Sequence, residues 1–141
     1  MTYGDDDTIR RILALDTWAV VGLSGDPRRA AFGVARFLQA HGKRIVPVHP
    51  GAHSVLGEPV YRRLADIPFP VDVVDVFRRS EAAGRFADEA VAIGARAVWL
   101  QLGVVDEDAY RRATAAGLDM VMDTCPKIEW AAHGPRADIA L

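Results

Sequence analysis

The segment with the clearest chemical potential is a glycine-rich turn, Gly22-Leu-Ser-Gly-Asp-Pro-Arg-Arg29, which precedes a helical pattern starting near Ala30 or Ala31. Glycines let backbone amides approach an anion closely, and the first turn of a helix offers unpaired N–H groups and a favourable dipole. Arg28 and Arg29 can add charge-assisted hydrogen bonds. The turn is interpreted as a pyrophosphate cradle; the alternative is an ordinary strand-to-helix turn with solvated arginines.

Two absences bear on which nucleotide such a cradle would hold. The turn lacks the G-x-G-x-x-G spacing of NAD-binding proteins, and the next apolar run ends in His49-Pro50 rather than in an Asp or Glu for the ribose. The G-x-x-x-x-G-K-[ST] pattern of P-loop proteins is also missing. NAD and P-loop chemistry are therefore disfavoured, while FAD and flavin mononucleotide stay open at this point.

Five runs of apolar and β-branched residues have the pattern of strands buried on both faces. They are Trp18 to Leu23, Arg44 to His49, Val71 to Phe77, Ala97 to Gln101 and Leu118 to Asp123. Helical patterns separate most of these runs, and an amphipathic lead-in helix precedes the first. These patterns lie at Ile9 to Leu15, Phe32 to His41, Ser80 to Ile93 and Glu107 to Ala116. The link from the second strand to the third is irregular, with a Gly-Pro loop and a short helix around Tyr61 to Ala65.

This alternation predicts an α/β fold, a Rossmann-like, doubly wound, parallel five-stranded sheet with helices on both faces. In such sheets ligands bind outside the carboxyl ends of the strands, so the residues just after each strand are the functional candidates. The length of 141 residues predicts one domain over residues 1–141, with residues 131–141 as a loosely held tail.

Charge and composition exclude several classes of partner. Acidic and basic residues nearly cancel, 19 against 17, so no broad positive field would gather nucleic acid or an anionic membrane. No apolar stretch approaches the roughly 20 residues of a membrane helix. The single cysteine, Cys125, rules out an intramolecular disulfide framework and suits a reducing compartment. The expectation is a cytoplasmic monomer or homodimer, with no protein partner identified.

Five segments in the same order resemble a known family. They are GLSGDPRR (Gly22 to Arg29), RIVPVHPG (Arg44 to Gly51), VDVVDVFRR (Val71 to Arg79), AVWLQLGV (Ala97 to Val104) and VMDTCPKIE (Val121 to Glu129). The chain is similar, from about Ile9 to Trp130, to the stand-alone CoA-binding proteins and to the CoA-binding domain of the succinyl-CoA synthetase α subunit. Five ordered motifs are far more specific than a lone glycine turn.

The resemblance implies a coenzyme A or acyl-CoA site at the strand ends. It assigns the pyrophosphate loop to Gly22, Leu23, Ser24 and Gly25, with Pro27 and Arg29 completing the turn. It assigns the adenosine side to Val48, His49 and Pro50, the adenine neighbourhood to Phe77 and Arg78, and the pantetheine path to Gln101, Leu102 and Gly103. Arg78 is the leading candidate for the ribose phosphate, and the alternative for it is a solvated surface arginine.

The chain departs from the family pattern at five positions. Ala30 and Ala31 stand where a Pro-Ser pair is usual, His49 replaces an asparagine, and Thr124 replaces an arginine. A lysine of the synthetase domain falls near Ala52. Loss of these polar and cationic groups is expected to weaken or reorient the nucleotide.

Other reactive residue types are given structural interpretations. Cys125 is expected to be a small buried hydrophobe, with a mixed disulfide to the CoA thiol as the alternative. His49 and His53 lack a third metal ligand, so no metal site is predicted. Asp72, Asp75 and Asp123 are expected to cap loops, and no acid/base pair or catalytic residue is identified.

The predicted function is therefore a binding module for coenzyme A or a short acyl-CoA, without chemistry of its own. One alternative is an NAD(P)- or other nucleotide-dependent enzyme. Another is a former binding domain that now acts as an interaction partner or regulatory subunit.

Overall fold

Parallel strands form the central sheet of the computed structural model, which describes residues 3–51 and 53–135. The strands are β1 (Thr17–Val21), β2 (Arg44–Val48), the two-residue β3 (Ser54–Val55) and β4 (Glu58–Pro59), β5 (Val73–Val76), β6 (Ala97–Leu100) and β7 (Asp119–Val121). Five of them pair in the order β2-β1-β5-β6-β7, whereas β3 and β4 form a separate antiparallel hairpin. The predicted five-stranded parallel sheet is confirmed.

Helices cover both faces of the sheet. They are α1 (Asp6–Leu13), α2 (Ala30–Ala40), α3 (Ser80–Ala92), α4 (Glu107–Ala115) and α5 (Pro126–His133), with a 3-10 helix at Leu64–Asp66. Helices α3 and α4 pack on one face, and α1, α2 and α5 pack on the other. Successive residues of each strand point to opposite faces of the sheet and pack into the hydrophobic core on that face. Both faces are buried, which explains the unbroken apolar runs in the sequence. In the part of the chain described here, no helix is long and apolar enough to cross a membrane.

Helix boundaries follow from local capping chemistry. The Asp5 carboxylate accepts the Thr8 N–H at 2.7 Å, and that of Asp106 accepts the Ala109 N–H at 3.0 Å, so both side chains cap helices, α1 and α4. Helix α5 was not predicted, although Pro126 at its first position is a typical start signal. Its last turn includes residues 131–133 of the predicted loose tail; residues 136–141 lie outside the described residues.

Short backbone segments lie against the two outer strands of the sheet. Beside β2, the Tyr61 N–H donates to the Pro47 carbonyl and the His49 N–H donates to the Tyr61 carbonyl, both at 3.0 Å. Beside β7, the Met122 N–H donates to the Tyr3 carbonyl at 2.9 Å. The irregular link between β2 and β5 thus returns to the sheet before its short helix.

Two helical glycines are expected to respond in opposite directions to alanine. A Cβ on Gly33 in α2 would meet no atom within 4 Å, so Gly33→Ala should raise the free energy of unfolding by about 0.5–1 kcal/mol through helix propensity. A Cβ on Gly84 in α3 would meet the Asp106 carboxylate, so Gly84→Ala should lower that free energy by about 1 kcal/mol by disturbing the α4 cap. Urea unfolding of both variants measures the two signs, and stabilisation by Gly84→Ala would contradict the packing of α3 against α4.

Candidate functional site

The carboxyl ends of β2, β1 and β5 lie side by side, because these strands are neighbours in the sheet. The residues after them are therefore adjacent: the Gly22 turn after β1, His49 after β2, and Phe77 with Arg78 after β5. Strand order reverses at this point, since β2 lies on one side of β1 and β5 on the other. Open α/β sheets bind ligands at such a reversal.

Two cavities open along this edge and share part of their walls. The first has a volume of about 300 Å³ and is lined by Val21, Gly22, Val48, His49, Pro50, Arg62, Arg63, Arg78, Arg85, Phe86 and Glu89. The second has a volume of about 280 Å³ and is lined by Gly22, Ser24, Arg29, Ala30, Ala31, His49, Phe77 and Arg78. Because Gly22, His49 and Arg78 line both, we treat the cavities as one feature, the rim trough.

Gly22 lets the turn after β1 cross close to the end of β5. Its φ of +92° lies in the left-handed region, and its N–H donates to the Val48 carbonyl at 2.9 Å. A Cβ at this position would lie 2.9 Å from the Phe77 carbonyl oxygen. The glycine is therefore required both by the backbone conformation and by the close approach of the two strand ends.

The rest of the turn is fixed by one buried side chain and one ion pair. Leu23 is fully buried and anchors the turn in the core, so only its backbone is available to a ligand. The Arg28 guanidinium and backbone N–H both donate to Asp26, which holds the pKa of that carboxyl below its usual range. Arg29 has no such hydrogen bond among the described residues and lines the second cavity.

His49 presents one defined ring nitrogen. The Gly51 N–H donates to His49 Nδ1 at 3.0 Å, so Nδ1 is the acceptor and the neutral ring carries its proton on Nε2. A donor at this position can serve a phosphate or an adenine nitrogen, as the asparagine of the family pattern could.

Eight of the fifteen predicted site residues line the rim trough. They are Gly22, Ser24, Arg29, Val48, His49, Pro50, Phe77 and Arg78. Gly25, Pro27 and Arg28 lie on the exposed outer part of the turn. The remaining residues after β6 are apart from the trough walls: Leu102 is exposed, and the Gly103 N–H donates to Asp123 at 2.7 Å.

The Gln101 side chain is committed to a buried carboxyl. Its Nε2 donates to Asp75 Oδ1 at 2.7 Å, and Gln101 is itself buried. Asp75 lies between Val20 and Trp99 in the sheet register, and burial raises its pKa to about 7, although the Gln101 hydrogen bond acts in the opposite direction. Its Oδ2 has no hydrogen-bond partner in the described part of the chain. Asp75 therefore does not cap a loop, whereas Asp72 and Asp123 do accept backbone N–H groups.

Sequence reasoning missed the wall on the α3 side of the first cavity. Arg62 and Arg63 reach it because Tyr61 pairs with β2, and Arg85, Phe86 and Glu89 reach it from α3. The only available signal was the Arg62-Arg63 pair within the irregular link. The direction of side chains in such an irregular link depends on which strand the link pairs with. The periodicity of the sequence does not predict this pairing.

The residues that depart from the family pattern have distinct environments. Ala30 and Ala31 line the second cavity at the start of α2, where the N-cap residue, Arg29, makes no side-chain capping hydrogen bond. The Thr124 hydroxyl donates to Glu129, and its carbonyl accepts the Trp99 indole N–H. Ala52 lies outside the described residues.

Cys125 is buried, as its interpretation as a small hydrophobe requires. Within residues 3–51 and 53–135, no three His, Cys, Asp or Glu side chains are placed to hold a metal ion.

Comparison with known proteins gives a consistent result. A family model described as a CoA binding domain matches residues 16–131. YneT from Bacillus subtilis (strain 168), an uncharacterized protein, is 39% identical over 110 residues, which are 78% of this chain and 82% of YneT.

Two solved structures extend the comparison. A hypothetical protein from Pyrococcus horikoshii OT3 superposes with a TM-score of 0.86 at 34% identity, over 92% of each chain. The apo form of the dinucleotide forming acetyl-coenzyme A synthetase 1 from Ca. Korarchaeum cryptofilum superposes with a TM-score of 0.71 at 24% identity. That match covers 79% of this chain but 27% of the synthetase, and it shows a shared fold.

Proposed function

Because the chain belongs to the CoA binding domain family, we propose that it binds coenzyme A, free or as a short acyl thioester, along the rim trough. The observation that carries the proposal is the trough itself, where a glycine turn, a helix start and several arginines meet at the reversal of strand order.

The diphosphate would occupy the second cavity. Ser24 and Arg29 line this cavity, and the first N–H groups of α2 lack a side-chain cap. Backbone donors, a helix dipole and a guanidinium together suit a charged group that must lose part of its hydration. Ala30 and Ala31 add no polar atoms beyond their backbone, so the N–H groups would have the larger share in binding.

The adenosine would occupy the first cavity. Val21, Val48, Pro50 and Phe86 give it apolar walls for a flat base, and His49 supplies a donor. The pantetheine would leave the trough along the edge toward β6, where Leu102 is 58% exposed and offers apolar surface. This path uses the backbone of residues 101–103 and leaves the Gln101 side chain bonded to Asp75.

A binding role without catalysis is part of the proposal. Among residues 3–51 and 53–135, Glu89 is the one carboxylate on the trough walls, and it pairs with Arg85 at 3.5 Å. Ser24 and His49 both line the second cavity, but no hydrogen bond joins them in the described part of the chain: Ser24 Oγ accepts the Asp26 N–H at 3.3 Å, and His49 Nδ1 accepts the Gly51 N–H at 3.0 Å. The purified chain is expected to bind acyl-CoA without turning it over, and measurable turnover would overturn this part of the proposal.

Titration calorimetry with CoA, acetyl-CoA and NADH tests the ligand. We expect both CoA ligands to bind and NADH to bind at least about tenfold more weakly, because NADH lacks the ribose 3′-phosphate of coenzyme A. Arg29→Ala should weaken CoA binding by about tenfold through loss of a charge-assisted contact. Arg10→Ala, which removes an exposed arginine of α1 that pairs with Asp7, is the matched control.

The opposite ligand preference would identify a different protein class. Tighter binding of NADH than of CoA would favour a nucleotide-dependent enzyme. Failure of all three ligands to bind would favour a regulatory subunit.

A further inference from the structure

The first cavity holds more positive charge than an adenine base needs. Among the described residues, four arginines line it, Arg62, Arg63, Arg78 and Arg85, against one acidic residue, Glu89. Adenine carries no charge, so apolar walls and a hydrogen-bond donor would be sufficient for it. The surplus charge points to an anionic group in the same cavity.

Ion pairing divides these four arginines into two kinds. Arg63 pairs with Asp66 at 3.2 Å, and Arg85 pairs with Glu89 at 3.5 Å. Arg62 and Arg78 have no carboxylate within 4.0 Å in the described ranges, 3–51 and 53–135. Two guanidinium groups are therefore available to a ligand without first breaking an ion pair.

The backbone fixes the starting point of Arg62. Its neighbour Tyr61 donates its N–H to Pro47 and accepts the His49 N–H, both at 3.0 Å, so the segment is bound to the end of β2. The Tyr61 ring also packs edge-on against Phe69, with centroids 6.3 Å apart. Arg62 thus leaves the sheet beside His49, and faces the same cavity as Arg78 at the end of β5.

We infer that Arg62 and Arg78 form a phosphomonoester subsite, which takes the ribose 3′-phosphate of coenzyme A and makes the chain select CoA over dephospho-CoA. A phosphomonoester carries about −1.5 to −2 charges at neutral pH, which matches two guanidinium groups. Guanidinium groups also bind phosphate oxygens in pairs. This inference rests on the proposed function for the identity of the ligand, and it assigns Arg62 as the residue that sets the specificity.

The test compares four ligands by titration calorimetry at constant salt: CoA, dephospho-CoA, adenosine 3′,5′-bisphosphate and AMP. The wild-type chain is expected to prefer CoA over dephospho-CoA by about tenfold or more. Arg62→Ala should reduce that preference to about threefold or less by weakening CoA alone, and Arg62→Lys should retain an intermediate preference. Arg111→Ala, which removes an exposed arginine of α4 paired with Asp108, should leave the preference unchanged.

The outcomes separate the subsite from the ligand. Equal affinity of the wild type for CoA and dephospho-CoA, or equal weakening of both by Arg62→Ala, would overturn the subsite and leave the proposed function intact. Preference for the bisphosphate over AMP that depends on Arg62, without CoA binding, would support the subsite and overturn the proposed function. Absence of binding by all four ligands would overturn both.

Discussion

Replacing Asp75 with asparagine is expected to raise the free energy of unfolding by roughly 4 kcal/mol above pH 7, and by little near pH 4. In the folded chain burial raises the pKa of Asp75 from 3.8 to about 7, whereas the unfolded chain keeps the ordinary value. Between these values the unfolded state has released the proton and the folded state has kept it. Stability therefore falls as pH rises from about 4 to 7 and then levels off.

Asparagine removes this dependence because it does not ionise. Its carbonyl oxygen can still accept the hydrogen bond that Gln101 donates to Asp75 Oδ1 at 2.7 Å. The change of Oδ2 into an amide leaves an unpaired polar group where the structure already has one, so little is lost at low pH. Urea unfolding of both chains at a series of pH values from 4 to 8 measures the difference.

The control for this prediction removes an exposed carboxylate. Asp88 pairs with Arg112 at 3.0 Å on the surface, so Asp88→Asn should change stability by less than about 1 kcal/mol. If the stability curves of Asp75→Asn and the wild type run parallel across the pH range, Asp75 is ionised in the folded chain and the inferred burial effect is wrong.

Replacing Gly22 with valine is expected to weaken CoA binding by about 100-fold and to lower the free energy of unfolding by about 2–3 kcal/mol. A β-branched residue is disfavoured at a φ of +92°, and its Cβ would lie 2.9 Å from the Phe77 carbonyl oxygen. The turn would have to move away from β5. This movement would displace Gly22 from the wall that the two cavities share. Calorimetry for binding and urea unfolding for stability measure the two effects.

Gly42→Val is the matched control for the same kind of backbone strain. Gly42 has a φ of +86°, and a Cβ there would meet no atom within 4 Å. Its valine variant should lose a similar amount of stability from the left-handed conformation while keeping wild-type affinity for CoA. If both variants lose CoA binding, the effect of Gly22→Val results from general destabilisation. This outcome would contradict a local role of Gly22 in the rim trough.

The strands and their common edge could be predicted because the fold imposes a strong local pattern. Strands buried on both faces must be apolar throughout, so β1, β2 and β6 are visible as unbroken runs. Parallel strands end on the same side of a sheet, so Gly22, His49 and Arg78 were expected to meet, and they line one trough. The family assignment and the fold class were both confirmed.

The parts that were missed depend on contacts between distant segments. Arg62 reaches the first cavity because the preceding residue, Tyr61, pairs with β2. A single bridge of this kind leaves no periodic pattern in the sequence from which it could be predicted. Arg85 is next to the inward-facing Phe86 in α3. The helical pattern predicts the buried face of this helix but not which strand end lies beside it. Helix α5 has a weak apolar face, with Ile128 exposed at 59%, and its Pro126 was the only start signal.

The environment of Asp75 could not be predicted from the composition of its strand. The sequence placed Asp75 within the strand Val71 to Phe77 and predicted that its side chain caps a loop. In the folded chain it lies inside the sheet with Gln101 as its partner, 26 residues away in sequence. Only the pairing of β5 with β6 brings the two side chains together.

Tyr3 and Tyr61 lie at the two edges of the sheet, where a strand of another molecule could otherwise pair. Pro47 has no N–H to offer such a strand, and its carbonyl already accepts a hydrogen bond from Tyr61, while Tyr3 occupies the Met122 amide beside β7. Strand-by-strand aggregation would have to displace these segments first. A concentrated solution of this chain should therefore resist fibre formation.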